Sequence, residues 1–258
     1  MVAIVAVSYD PVETLAEFAR SHRITYRLLS DLGSIEIIRL GLVNHTIAEE
    51  RAALGQGEVT ERHRNLTYPG TFSLDEEGAV VSKRFERHHR IRPTGMSLLA
   101  GLLGTDGVTP AVTAEAVASG ARVAAWLDSD VVSANQIQDM HVRLALDEDL
   151  HVYTEPTPDG YVPLQVTLAG AEVRTRNLVA PPGHELRIAG IPETFSVLDG
   201  VVDVALPFMV FSNDNTAGGA PRDLTLQVMV RFQACTGQEC LLPTSLALEL
   251  PIREVPNP

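Results

Sequence analysis

This chain has two cysteines, one lysine, no long apolar run and no excess of positive charge. Each shortage excludes something. No run approaches the ~20 apolar residues of a membrane-spanning helix, and Met1 leads straight into strand-like sequence rather than a basic stretch with an apolar core. No targeting signal is visible. A formal net charge of −13 argues against nucleic acid and anionic membrane as partners. Lys83 is the single lysine among 20 cations, which reflects base composition rather than function. With only Cys235 and Cys240, a cysteine metal centre needs two further ligands, and His141, His151 and His184 are scattered.

What is present is enough for a core, with 45% hydrophobic residues in 258. The acid is unevenly placed. Residues 1–104 carry 12 Lys+Arg against 13 Asp+Glu, whereas residues 105–258 carry 8 against 20. That asymmetry is what two domains of separate origin would show.

In the first part, residues 2–7 form a short β-branched apolar run that predicts a parallel strand buried on both faces. Asp10, Pro11 and Glu13 fit the N-cap, first and third positions of a helix. "ITYRLLSD" predicts a second strand and "SIEIIRLGL" a short helix ending at Gly41. "TFSLDEEGAVVSKRFE" predicts a hairpin with an acidic turn closing at Gly78, and "PTGMSLLAGLLG" a last helix. The order β-α-β-α-β-β-α implies a parallel sheet with an antiparallel edge hairpin. "RHHRIR", with His88 and His89, offers either an anion patch or a solvated strand end.

From residue 105 the pattern changes. Small residues and turn formers over 105–117 predict a linker, and strand-like runs then recur at 121–127, 140–146, 162–168, 171–176, 184–189, 201–210, 223–233 and 244–252. Punctuation by Pro and Gly at such short intervals is the pattern of an antiparallel β-sandwich over about 118–256.

Both cysteines fall in "LTLQVMVRFQACTGQECLLPTSLALELPI", which reads as strand, tight loop, strand. A loop including Gly237 brings their Cα atoms into disulfide range. Three jobs compete: half of a metal site, a structural staple, or a redox couple. A staple over so short a loop constrains little chain. A close pair can instead alternate between dithiol and disulfide. Glu239, directly before Cys240, would raise a neighbouring thiol rather than activate it.

Two resemblances bear on that choice. "SYD", "LLSD" and "PGTFSLD", in that order over residues 1–104, resemble the redoxin branch of the thioredoxin-fold superfamily, which includes peroxiredoxin-like (AhpC/TSA) domains. The resemblance implies an α/β thioredoxin-like fold, incomplete at its N-terminus, with Pro69 at the position of a cis-proline facing the reactive thiol. Residues 1–104 hold no cysteine, so this part cannot itself run thiol peroxidase chemistry. Either the chain lacks the strand and helix that carry the nucleophile, or the domain is a vestigial scaffold. Loss of that strand and helix leaves apolar surface exposed and favours association into a homo-oligomer.

The second part, over about residues 120–254, resembles the N-terminal domain of the DsbD thiol–disulfide interchange family, an immunoglobulin-like sandwich. Gln233, Cys235, Cys240 and Pro243 match its signature, and His151 and Tyr153 match an "H-x-Y" element of one strand. The resemblance implies Cys235 and Cys240 as the redox couple of an oxidoreductase, a thiol or disulfide partner protein, and no cofactor or metal. The competing reading is a binding or assembly module with a structural disulfide. Compartment stays open: such sandwich domains are extracytoplasmic, yet no signal peptide is visible.

Overall fold

The computed structural model describes residues 3–53, 58–60, 65–86, 92–95, 98, 109–134, 136–170, 172–188, 192–211 and 220–255. The chain divides into two units, Met1–His89 and Arg90–Pro258.

In the first unit β1 (Val5–Ser8) pairs in parallel with β2 (Arg27–Ser30), joined by helix α1 (Val12–Ser21). The helix begins one residue later than the capping pattern predicts. Pro11 is its N-cap and no side chain caps it, because the Asp10 carboxylate instead accepts from the Ser8 hydroxyl at 2.5 Å. Helix α2 (Ile35–Arg39) is held by Asp31, whose carboxylate accepts the Glu36 and Ile37 N–H groups at 3.1 and 2.9 Å. That satisfies two donors a helix start leaves unpaired. A third helix, α3, spans Ile47–Ala53. Strands β3 (Gly70–Leu74) and β4 (Val80–Phe85) form the expected hairpin, turning at Gly78 with φ +84°.

The single mixed sheet is not what forms. The parallel pair and the hairpin are separate two-stranded sheets, and no ladder among the described residues joins them. Nor is β1 buried on both faces: Val5 and Val7 are more than half exposed, and Leu15 and Ile37 are the buried hydrophobic residues described here. Parallel strands are buried on both faces only where other elements cover both. The last predicted helix, and the "RHHRIR" histidines, fall largely outside the described residues.

The second unit is all β. Strands β5 (Arg92–Pro93) to β18 form three sheets. The six-stranded sheet holds β6 (Val112–Ala118), β7 (Ala121–Leu127), β9 (Gln136–Leu146), β15 (Val201–Val210) and β12 (Val173–Thr175), with β5 pairing in parallel to β9. The second joins β11 (Gln165–Ala169), β16 (Arg222–Phe232), β18 (Thr244–Val255) and β8 (Val131–Ser133). The third joins β13 (His184–Arg187), β14 (Thr194–Asp199), β10 (His151–Tyr153) and β17 (Ala234–Cys235).

The first two sheets make the sandwich. Alternate residues of each strand point into one shared core, among them Val142 and Leu144 of β9, Val204 and Phe208 of β15, Val228 and Phe232 of β16, and Leu250 of β18. Each such side chain contributes about 1.5–3 kcal/mol by leaving water.

The linker expected over 105–117 is instead a strand from Val112 on. It pairs with β7 through a two-residue turn at Ser119 and Gly120, both in the left-handed region. Its inward side chains are Val112, Ala114 and Ala116, small enough to read as linker and apolar enough to pack on the core.

Candidate functional site

The sandwich delivers the cysteines through β16. Its eleven residues pair throughout with β18, from Arg222↔Glu254 to Phe232↔Thr244. After Phe232 the chain leaves that sheet and re-pairs as β17 with β10, so Val152 meets Ala234 and His151 meets Cys235. Gln233 stands at the switch. Its side-chain amide donates to the Leu241 carbonyl at 3.1 Å, and its carbonyl accepts the Val162 N–H at 3.3 Å. The residue thus ties the returning chain to the loop after β10. Pro243 is exposed, just before β18.

The loop between the cysteines is organised by Thr236 rather than by Gly237. The Thr236 hydroxyl accepts the Gln238 and Glu239 N–H groups at 3.2 and 3.1 Å, and the Thr236 N–H donates to the Glu239 carbonyl at 2.8 Å. A Cβ on Gly237 would meet nothing within 4 Å. Cys235 and Cys240 then face each other as a bridge pair, Cα atoms 4.0 Å apart, joined by a disulfide.

The two sulfurs live in different surroundings. Cys235 is fully buried, whereas Cys240 is exposed. Around Cys235 lies a small second core of Tyr153, Phe195 and Val197, with Tyr161 packed against it. The Tyr153 ring meets Tyr161 edge-on at 5.0 Å and Phe195 at 5.3 Å, and Tyr161 meets Phe195 at 4.7 Å. In a chain with 5% aromatic residues, three rings converge on its one described disulfide. The Tyr153 hydroxyl lies 3.7 Å from Cys240 Sγ; a disulfide sulfur carries no proton, so the phenol is the donor.

His151 shares the face of Tyr153, with ring centroids 5.4 Å apart. Only 7% of it is exposed, and its Nε2 has no hydrogen-bond partner among the described residues. Burial pushes its pKa below the ordinary imidazole value. The like charge of His184 adds to that, and Asp199 opposes it. Burial, followed by the neighbouring Tyr161, pushes the Tyr153 phenol up, so it stays a donor at neutral pH.

Sequence reasoning therefore brings Gln233, Cys235, Cys240, His151 and Tyr153 to one place. It missed Tyr161, Phe195, Asp199 and Thr236. Tyr161 and Phe195 carried one signal, the rarity of aromatics. Pro69 lies in the first unit, and its expected cis bond is absent. Glu155–Pro156 is the one cis peptide among the described residues. Extended chain leads into Pro69, bridged Val43↔Thr67, and its carbonyl accepts the Glu86 N–H at 2.9 Å. No group of three His, Cys, Asp or Glu residues able to hold a metal occurs among the described residues, nor does a helix long and apolar enough to cross a membrane.

No family model matches the chain, and no curated protein sequence matches it. Among solved structures it is similar to the N-terminal periplasmic domain of ScsB from Proteus mirabilis. The identity is 15% and the TM-score 0.40, over 55% of this chain and 51% of that one. It is also similar to the Neisseria meningitidis DsbD N-terminal domain in the reduced form, at 15% identity and a TM-score of 0.30, over 54% and 82%. The chain spans about half the length of the first of these. At such values the likeness assigns no residue a role.

Proposed function

We propose that the second unit is a thiol–disulfide relay in which Cys235 and Cys240 cycle between dithiol and disulfide. The observation that carries this reading is the asymmetry of the pair: an exposed cysteine beside a buried one, with a phenol donor at the sulfur of the exposed residue. Exchange proceeds by in-line attack of a thiolate on a disulfide sulfur. Cys240 is the sulfur a partner reaches, and Cys235 is the one that resolves the mixed disulfide. Exposed disulfides are the labile, exchange-competent kind, and buried ones resist reduction. The match of Gln233, Cys235, Cys240 and Pro243 to the DsbD N-terminal pattern supports the same reading, and a thiol or disulfide protein is the partner it implies.

The first unit enters this function as a thiol-free α/β scaffold. Its sequence resemblance to redoxin domains supports a role beside redox chemistry, with the electrons confined to the Cys235–Cys240 hairpin.

Equilibration in glutathione or dithiothreitol buffers, followed by alkylation and mass analysis, tests the relay. Reversible reduction at a potential above about −300 mV is expected. A pair that stays oxidised below that value is a structural disulfide, and the chain is then better read as a binding or assembly module.

A further inference from the structure

Four side chains stand in one row across the third sheet. Cys240 bridges Cys235, Cys235 pairs with His151, and His151 pairs with Asp199. Directly opposed residues of antiparallel strands project to the same face with Cβ atoms about 4.5–5.5 Å apart. The imidazole of His151 therefore lies between the buried cysteine and a carboxylate. This is the arrangement in which a base sits next to a thiol with an acid group behind it.

We propose that His151 is the proton acceptor for the Cys235 thiol when the pair resolves a mixed disulfide. The inference rests on the relay reading above and assigns a step within it. A buried ring nitrogen with no hydrogen-bond partner is rare, because its lost hydration goes uncompensated. His151 Nε2 is such an atom in the oxidised protein, where Cys235 has no proton to offer. Reduction puts an S–H on the residue directly paired with His151, one strand away.

Cys235 also needs a base. Cys235 is fully buried, so its thiol has no solvent to take its proton and attacks only once a neighbouring group accepts it. The titratable groups facing His151 are Cys235 and Cys240 on the hairpin, Asp199 on β14, His184 on β13 and Tyr153 on its own strand. His184 in turn reaches Asp199, Nε2 to Oδ2 3.4 Å. Burial keeps His151 neutral, and neutral imidazole is the form that accepts a proton. Asp199 stabilises the imidazolium once it forms.

The step balances as follows. Cys240 has attacked one sulfur of a partner's disulfide, leaving a Cys240–partner bond and one partner thiol. The Cys235 proton passes to His151 Nε2. The Cys235 thiolate attacks Cys240 Sγ; the Cys235–Cys240 bond forms, the Cys240–partner bond breaks, and the partner leaves as a thiolate. That thiolate takes up a proton, and the imidazolium releases one. Two electrons have passed from the dithiol to the partner's disulfide.

Stopped-flow reaction of the reduced full chain with 5,5′-dithiobis(2-nitrobenzoate) separates the stages, because one nitrothiobenzoate is released on attack and a second on resolution. In His151→Gln the ratio of second-phase to first-phase rate near pH 7 is expected to fall about tenfold or more. The wild-type second phase should follow the ionisation of His151, read independently from its ring protons by NMR, and the variant should lose that dependence. A ratio within about twofold of wild type, or a wild-type second phase that follows thiol ionisation alone, overturns the assignment; the latter measurement needs no variant to fold. A wild-type protein that releases no second nitrothiobenzoate overturns the relay reading itself, and His151 with it.

Discussion

The hydroxyl of Tyr153 lies 3.7 Å from Sγ of Cys240, while the ring that carries it is fully buried among Tyr161, Phe195 and Cys235. One side chain thus packs around the inner sulfur and donates to the outer one. The consequence is an asymmetric pair, and the following outcomes depend on it.

In the reduced protein Cys240 should react with iodoacetamide at least about tenfold faster than Cys235, since access and thiolate character both govern thiol reactivity. Timed alkylation with peptide mass mapping reads this directly. Equal rates would show that the hairpin opens freely once the disulfide is gone.

Tyr153→Phe keeps the ring packing and removes only the donor. Alkylation of reduced Cys240 near neutral pH should then slow by about three- to tenfold, as befits loss of one hydrogen bond to a charged sulfur. Timed iodoacetamide labelling measures the change. Tyr153→Ala instead empties the small core and should cost about 3–5 kcal/mol in urea unfolding.

The stability of the second unit should fall in mild acid because of His151. Its folded-state pKa is depressed, first by burial and then by His184. The unfolded chain therefore binds the proton first, at the ordinary value of about 6.5. The contribution is fully present above that pH and is lost as pH falls through the folded value. Urea midpoints from pH 7.5 down to 5 should show a shallower decline in His151→Gln than in the wild type.

Gly120 closes the β6–β7 hairpin at φ +70°, and a Cβ there would stand 2.3 Å from Leu150 Cδ1. Gly120→Ala meets both backbone strain and a clash with a flexible side-chain end. A loss of about 1–3 kcal/mol is expected from calorimetry or urea unfolding. An unchanged midpoint would mean the hairpin does not depend on this turn.

Much of the sandwich was legible because strand burial imposes a period of two. Runs 121–127 and 201–210 match β7 and β15 residue for residue, and 223–233 and 244–252 locate β16 and β18. Strand β6 was missed although "VTAEAVA" and "ARVAAWL" flank a two-residue "SG", which is a hairpin pattern. Alanine on its inner face hid the alternation. Strand β10 was read as a strand only through the "H-x-Y" match of His151 and Tyr153, since three residues are too few to establish a period, and β14 was not anticipated.

The sequence by itself determined that any thiol chemistry of this chain falls to Cys235 and Cys240, because it holds no other thiol, and that the pair is close, because four residues separate them. It also determined an alternating all-β second half. Tertiary structure decided the rest. Pairing of β17 with β10, rather than continuation along β18, puts His151 beside Cys235 across 84 residues of sequence and buries Cys235 while leaving Cys240 exposed. No local pattern encodes that choice. It follows from which sheet edge is free when β16 ends and from which aromatic rings fill the space beneath it.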